Sequence, residues 1–187
     1  ESCVPEHIDY EEATLSEFLA RSAATFPERD ALIFQGYRVS FRELKDMVDR
    51  FASCLADFGI TKGDAVAILL PNVIPCVAAY FAILRLGAVA VMNNPLYSDV
   101  ELERQFNDSG SRVLIILDHL AERMIKLRPK TKIKEIIYTS LGDYLPLPKK
   151  LLFSLMAKRK HLAASLREAG DLYRWKDSIS RYAPDPP

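Results

Sequence analysis

Cysteine and glycine are both scarce in this chain, at 3 and 7 of 187 residues. The three cysteines, Cys3, Cys54 and Cys76, are odd in number and far apart, and no CxxC pair exists. A disulfide scaffold and a structural zinc site are therefore not expected, and a reducing compartment fits best. The three histidines, His7, His119 and His161, show no metal-ligand spacing, so no metal site is expected. No charge sign dominates: 25 basic residues balance 25 acidic ones. That balance argues against a dedicated nucleic-acid binder, which would carry a basic excess. No apolar run reaches the roughly 20 residues of a membrane span, since Val73 to Met92 is broken by Pro75, Arg85 and Gly87. The opening "ESCVPEHIDYEEATLSEFLA" is acidic and lacks the apolar centre of a signal peptide.

Apolar residues are plentiful, at 49% of the chain, enough for one sizeable core. Their patterning predicts an ordered series of elements. Thr14 and Glu17 form a capping-box pattern ahead of a helix whose apolar face is Leu15, Phe18, Leu19 and Ala23, and Pro27 stops it. "DALIF" and "YRVSF" flank Gln35-Gly36, a hairpin signal. Ser40 and Glu43 repeat the capping box before a long helix with the stripe Leu44, Met47, Val48, Phe51, Leu55 and Phe58, ended by Gly59. Beyond it, strands and helices alternate. "AVAILL" is a buried strand, Pro75 to Leu86 an apolar helix, and "AVAVM" a second buried strand. Asp99 to Asn107 is a helix, "RVLIIL" a third strand, His119 to Leu127 a helix and "IKEIIYT" a fourth strand. Continuous apolar strands alternating with helices imply an α/β fold with a mainly parallel sheet covered by helices on both faces. In such sheets ligands collect beyond the carboxyl ends of the strands.

The stretch "NNPLYSDVELERQFNDSG" leaves one of those carboxyl ends and turns into a helix. Pro95 sets the chain direction, and Ser98 or Asp99 can cap the helix, with acidic Glu101 and Glu103 in its first turn. Farther on, "LPLPKKLLFSLMAKRKHLAASL" joins apolar residues to Lys149, Lys150, Lys158, Arg159 and Lys160. It reads as a basic amphipathic helix, either packed on the domain or lying on an anionic membrane, and these five cations are the candidate membrane contacts. The segment from Leu145 to Arg167 is expected to be more mobile than the sheet or held by another molecule. "RYAPDPP" reads as a linker.

Catalytic patterns are missing. "YTSLGDYLP" follows a strand but lacks the repeated glycines and the lysine of a phosphate-binding loop, so it reads as a turn. No GxSxG, no Ser/His/Asp order and no Cys/His pairing is present. The residues by themselves describe a noncatalytic α/β unit.

A set of segments in fixed order says more. Ser40-Phe41-Arg42-Glu43-Leu44, the Gly63-Asp64 turn, the Pro71-Asn72 exit and a helix ending Leu86-Gly87-Ala88 together resemble the amino-terminal region of the adenylate-forming (AMP-binding) superfamily. The resemblance runs from about Thr14 to Thr139. Asn94-Pro95-Leu96-Tyr97-Ser98 and the basic, apolar segment at 145–160 look like its long-chain fatty-acid–CoA ligase branch, with Ser98 where that branch has threonine.

The resemblance implies a partial acyl-CoA synthetase fold. Residues 1–140 would be the amino-terminal α/β subdomain, 141–170 a basic amphipathic insertion, and 171–187 a linker. The implied activity of the parent enzyme is acid–thiol ligation, in which a fatty acid attacks ATP to give acyl-adenylate and pyrophosphate, and the CoA thiol then displaces AMP. The implied cofactors are ATP, magnesium (Mg2+) and CoA, none of them bound by this chain alone. The ATP-gripping loop, the adenine motif, the metal-associated glutamate and the mobile carboxyl-terminal domain are not among these residues, so the chain by itself is expected to be an inactive piece. No catalytic or cofactor-binding residue is assigned; Asn94, Pro95, Tyr97 and Gln105 are candidates for shaping the approach of acyl chain or CoA. The expected partners are a fatty acid, the rest of its own chain, a peripheral membrane surface and a second copy in a homodimer, with no nucleic acid. The expected location is the cytoplasm or the inner face of its membrane. The competing readings are a piece of another adenylate former, a fatty acyl-AMP ligase or aryl-CoA ligase, and a docking or dimerisation module on the same scaffold.

Overall fold

A computed structural model describes residues 11–151 and 172–184. Helix α1 spans Leu15–Thr25 and helix α2 Phe41–Asp57. Both begin at the expected capping boxes: the Thr14 and Ser40 hydroxyls accept from the backbone N–H of Glu17 and Glu43, whose carboxylates accept in return from the cap N–H. Between the helices, β1 (Asp30–Phe34) and β2 (Tyr37–Ser40) form the expected antiparallel hairpin. Its two-residue turn holds Gln35 at φ 54° and Gly36 at φ 93°, the positive dihedrals that match a tight hairpin to the strand twist.

The rest builds one parallel sheet of five strands. In chain order its elements are β3 (Ala65–Leu69), α3 (Ile74–Arg85), β4 (Val89–Met92), α4 (Asp99–Ser109), β5 (Val113–Leu117), α5 (Ala121–Leu127), β6 (Glu135–Thr139), β7 (Leu172–Arg174) and α6 (Trp175–Arg181). The spatial order is β4-β3-β5-β6-β7.

The period-2 alternation of side chains splits each central strand between two cores. Val66, Ile68, Val113, Ile115 and Ile137 face a large core with α2, α3 and α6. Ala67, Leu69, Leu114, Ile116 and Ile136 face a smaller one with Leu102 and Phe106 of α4 and Met124 and Leu127 of α5. Burial on both faces is why these strands are unbroken apolar runs.

Two expectations change. "AVAVM", expected as a buried strand, is an edge strand with Val89 and Met92 half-exposed. An apolar run reports an environment, not a place in the strand order. "RYAPDPP", expected as part of a linker over 171–187, begins inside a docked unit. Residues 172–174 pair with β6 as the fifth strand, and α6 buries Trp175 completely. Beyond α6 the chain is fastened to α2: Arg50 donates to the Tyr182 carbonyl at 2.8 Å, Ser53 to the Ala183 carbonyl at 3.0 Å, and the Tyr182 hydroxyl to Asp57 at 2.5 Å. Most of the basic segment, including Lys158, Arg159 and Lys160, and most of the expected mobile stretch lie outside the described residues.

Candidate functional site

The carboxyl ends of β3 to β6 come level in the sheet: Ile68 pairs with Met92, Leu69 with Ile116 and Leu117 with Thr139. The turns leaving these ends form the rim where parallel α/β sheets take ligands. The rim has two built regions.

The first is the corner after β4. Asn93 is buried and extends the ladder, its N–H donating to the Ile68 carbonyl at 2.8 Å. Its side-chain amide donates to the Val91 carbonyl at 2.8 Å, while its Oδ1 is buried without a partner. Asn94 then closes a local turn: its Oδ1 accepts from the Leu96 N–H at 3.0 Å and its carbonyl from the Tyr97 N–H at 3.0 Å. Ser98, not Asp99, is the cap of α4, in a third capping box with Glu101. The bonds from the Ser98 hydroxyl and N–H hold the Glu101 carboxyl below its ordinary range. Arg123 of α5 locks the corner from outside, donating to the Tyr97 carbonyl and to Asp99 Oδ1, each at 2.6 Å.

Asn94, Pro95 and Tyr97 therefore share one fixed turn. Tyr97 packs half-buried against the smaller core, whereas Leu96 projects with 88% of its surface exposed. Gln105 is not in that group. It is half-exposed in α4, six residues past Asp99 and so about 9 Å along the helix axis.

The second region is the turn after β6, where the sequence predicts no more than a plain turn. Leu141–Tyr144 is a short 3-10 helix. Its Asp143, nearly buried, accepts from Arg174 at 3.0 Å and faces Lys176 at 3.5 Å, while Asp143 Oδ2 has no partner. Trp175 Nε1 donates to the Tyr144 hydroxyl at 2.8 Å. Burial pushes the Tyr144 hydroxyl well above the usual phenol range, against the smaller opposing effect of the Trp175 bond. Beside it, Phe34, Val73, Pro75, Leu117, Thr139 and Tyr144 line a narrow gap in the packing with no room for a ligand. The Thr139 hydroxyl, 1% exposed, has no partner. The signal for this region lay in "LYRW", whose lone tryptophan opens the docked helix α6.

Neither region sets a nucleophile beside a base. Among the described residues no group of three His, Cys, Asp or Glu is placed to hold a metal ion. The described residues therefore offer no donor set for magnesium. The rim offers shape and hydrogen-bonding groups, and an enzyme using it needs its catalytic groups from elsewhere.

The family model for AMP-binding enzymes matches residues 19–171. The chain belongs to the AMP-binding enzyme family. It is 37% identical over 157 residues to a long-chain-fatty-acid–CoA ligase of Bacillus subtilis, across 84% of this chain and 28% of the relative. It is 35% identical over 146 residues to the ligase of that description from Escherichia coli O157:H7, across 78% of this chain and 26% of the relative. Among solved structures, a long-chain-fatty-acid-CoA ligase from Archaeoglobus fulgidus superposes with a TM-score of 0.72 at 22% identity, covering 95% of this chain and 32% of that one. An anthranilate CoA ligase in complex with anthranoyl-AMP gives a TM-score of 0.72 at 20% identity, covering 90% and 28%. At such identities the structural likeness establishes the fold: the chain has the architecture of the amino-terminal part of these enzymes. It spans little more than a quarter of the curated relatives it matches.

Proposed function

We propose that this chain is the amino-terminal α/β subdomain of a long-chain fatty-acid–CoA ligase, which joins a fatty acid to CoA through an acyl-adenylate in the cytoplasm. The observation that carries the reading is the 37% identity to the Bacillus subtilis ligase, sustained over 84% of the chain. In the proposed reaction the fatty carboxylate attacks the α-phosphorus of ATP and pyrophosphate leaves. The CoA thiol then attacks the acyl carbonyl and AMP leaves. ATP, magnesium and CoA belong to that parent enzyme. This subdomain contributes the rim against which the catalytic part closes, with Asn94, Pro95 and Tyr97 in the fixed corner, and Gln105 farther along α4, shaping the approach of acyl chain or CoA.

The test is a transplant. Residues 11–184 replace the matching region of the Bacillus subtilis enzyme. The chimera is expected to form palmitoyl-CoA from ATP, CoA and palmitate and to leave benzoate untouched, while the 187-residue chain alone forms none. A folded chimera active only on benzoate would establish the aryl-CoA ligase reading instead. A folded chimera without any ligase activity would leave the docking-module reading.

A further inference from the structure

Helix α1 is held to the domain by little apolar surface: of its residues only Leu19 and Ala23 are buried. Beside them lies a small polar cavity, lined from α1 by Ser16 and Ala20, from α2 by Lys45 and Asp49, and from the end of α3 by Arg85. Its volume is about 10 Å³, the space of a single water. We propose that this cavity binds one ordered water, which joins the Ser16 hydroxyl to the Asp49 carboxylate and so fastens α1 to α2 and α3.

Each wall of the cavity asks for a partner. The Ser16 hydroxyl is buried and has none among the described residues. A serine inside a helix can bond the carbonyl four residues back, but for Ser16 that residue is Glu12, which lies ahead of the Thr14 cap. No helical carbonyl stands behind it, and a buried hydroxyl left unbonded is costly. On the other wall Asp49 is buried, and its Oδ2 accepts from Lys45 at 2.5 Å and its Oδ1 from Arg85 at 2.9 Å. A carboxylate has about four acceptor sites, so each oxygen keeps one. The occupant must accept from one wall and donate to the other, and water does both. A halide would accept from Ser16, Lys45 and Arg85 but would lie against the Asp49 carboxylate, where like charges repel. An apolar cavity of this size stays dry; this one supplies the two to four polar partners that a buried water uses. The proposal does not depend on which acid the parent enzyme activates.

The experiment is nuclear Overhauser transfer from water to the isotope-labelled 187-residue chain. The methyl groups of Ala20 and Val48, both in the cavity wall, are expected to show cross-peaks with the sign of a water that tumbles with the protein. In Ser16→Ala no hydroxyl proton can relay the transfer, and weaker cross-peaks should remain because Asp49, Lys45 and Arg85 still hold the water. Hydrogen exchange measures what the joint does. Amides from Leu19 to Thr25 should exchange about five-fold faster in Ser16→Ala than in Ser22→Ala, as the loss of one hydrogen bond predicts. Ser22→Ala is the same substitution on the same helix, outside the cavity. Far-UV circular dichroism and the fluorescence of Trp175 establish that each variant is folded. The proposal is overturned if wild type shows no transfer at Ala20 and Val48, if Ser16→Ala abolishes it, or if the two serine variants exchange alike. It is also overturned if replacing chloride by gluconate at constant ionic strength loosens α1, which would make the occupant a halide.

Discussion

Removing the Trp175 side chain should weaken the docking of β7 and α6, because it is the largest fully buried side chain of that end of the chain, which is otherwise held by its pairing with β6 and its bonds to α2. The indole is fully buried, its ring centroid lies 4.2 Å from that of Phe51, and its N–H is bonded to the Tyr144 hydroxyl. Truncation of such a residue to alanine costs about 3–5 kcal/mol for lost contacts and the cavity left behind. Tyr144→Phe is the finer cut. It keeps the ring, with its edge-on contact to Tyr37 at 5.7 Å, but orphans the buried indole N–H. That costs about 1–3 kcal/mol. Against a domain stability of about 5–15 kcal/mol, the first change is severe and the second readily measured. The two effects should not add, since both remove the same bond.

The assay is urea unfolding followed by circular dichroism and by fluorescence. Trp175 is the single tryptophan of the chain, so its emission reports this one site. Wild type should emit at short wavelength, as a buried indole does, and shift to the red in the same transition that melts the helices. If Trp175→Ala costs under about 1 kcal/mol, the residue is not in a packed core and the docking of α6 is refuted. An early fluorescence transition, well before the loss of helix, would mean that β7 and α6 detach separately from the sheet.

Two further outcomes are expected. Burial pushes the Cys54 thiol up from 9.0 to about 12, and burial with the bond to Asp57 takes the Tyr182 hydroxyl to about 12. A folded-state pKa above the unfolded one gives stability that is complete below the unfolded value and lost as pH rises toward the folded one. The urea midpoint should therefore hold from pH 7 to about 9 and fall from there toward 12, and Cys54→Ala should fall less steeply; equal slopes would remove Cys54 as a cause. Separately, Arg85→Ala should destabilise by about 2 kcal/mol, because Asp49, buried on α2, accepts from Arg85 at 2.9 Å and keeps only Lys45 without it. Arg85→Ala/Asp49→Asn should recover part of that loss, which a merely steric role for Arg85 would not allow.

Much of the architecture was legible because the local signals were redundant. The boxes at Thr14 and Ser40, the Gln35-Gly36 turn and the stripe on α2 each specify an element within a few residues, and each formed. The strand order was not legible. Val89 to Met92 are as apolar as Val113 to Leu117, yet β4 ends as an edge and β5 as a centre. That outcome depends on which crossover lands beside which strand, a long-range fact that no window of sequence contains. Strand β7 failed for the opposite reason. It has three residues, one of them charged, and it exists because β6 offers it an edge and Trp175 anchors the helix beyond it.

The candidate site divides along the same line. That residues 93–98 form a corner at a strand's carboxyl end was readable from Pro95 and the capping pattern. What its side chains do was not, because their partners are remote in sequence or are backbone atoms. Asn94, a candidate for touching substrate, uses its side-chain oxygen to close its own turn. Arg123, which belongs to no motif, holds the turn from α5 through Tyr97 and Asp99. A polar residue in a turn has two employers, the backbone and the ligand, and only geometry tells which has engaged it. Here the backbone has engaged Asn94, whereas buried oxygens of Asn93, Thr139 and Asp143 remain unpartnered at the rim. Since burying a polar atom without a hydrogen bond is costly, those three positions are where the rim retains hydrogen-bonding capacity for whatever closes over it.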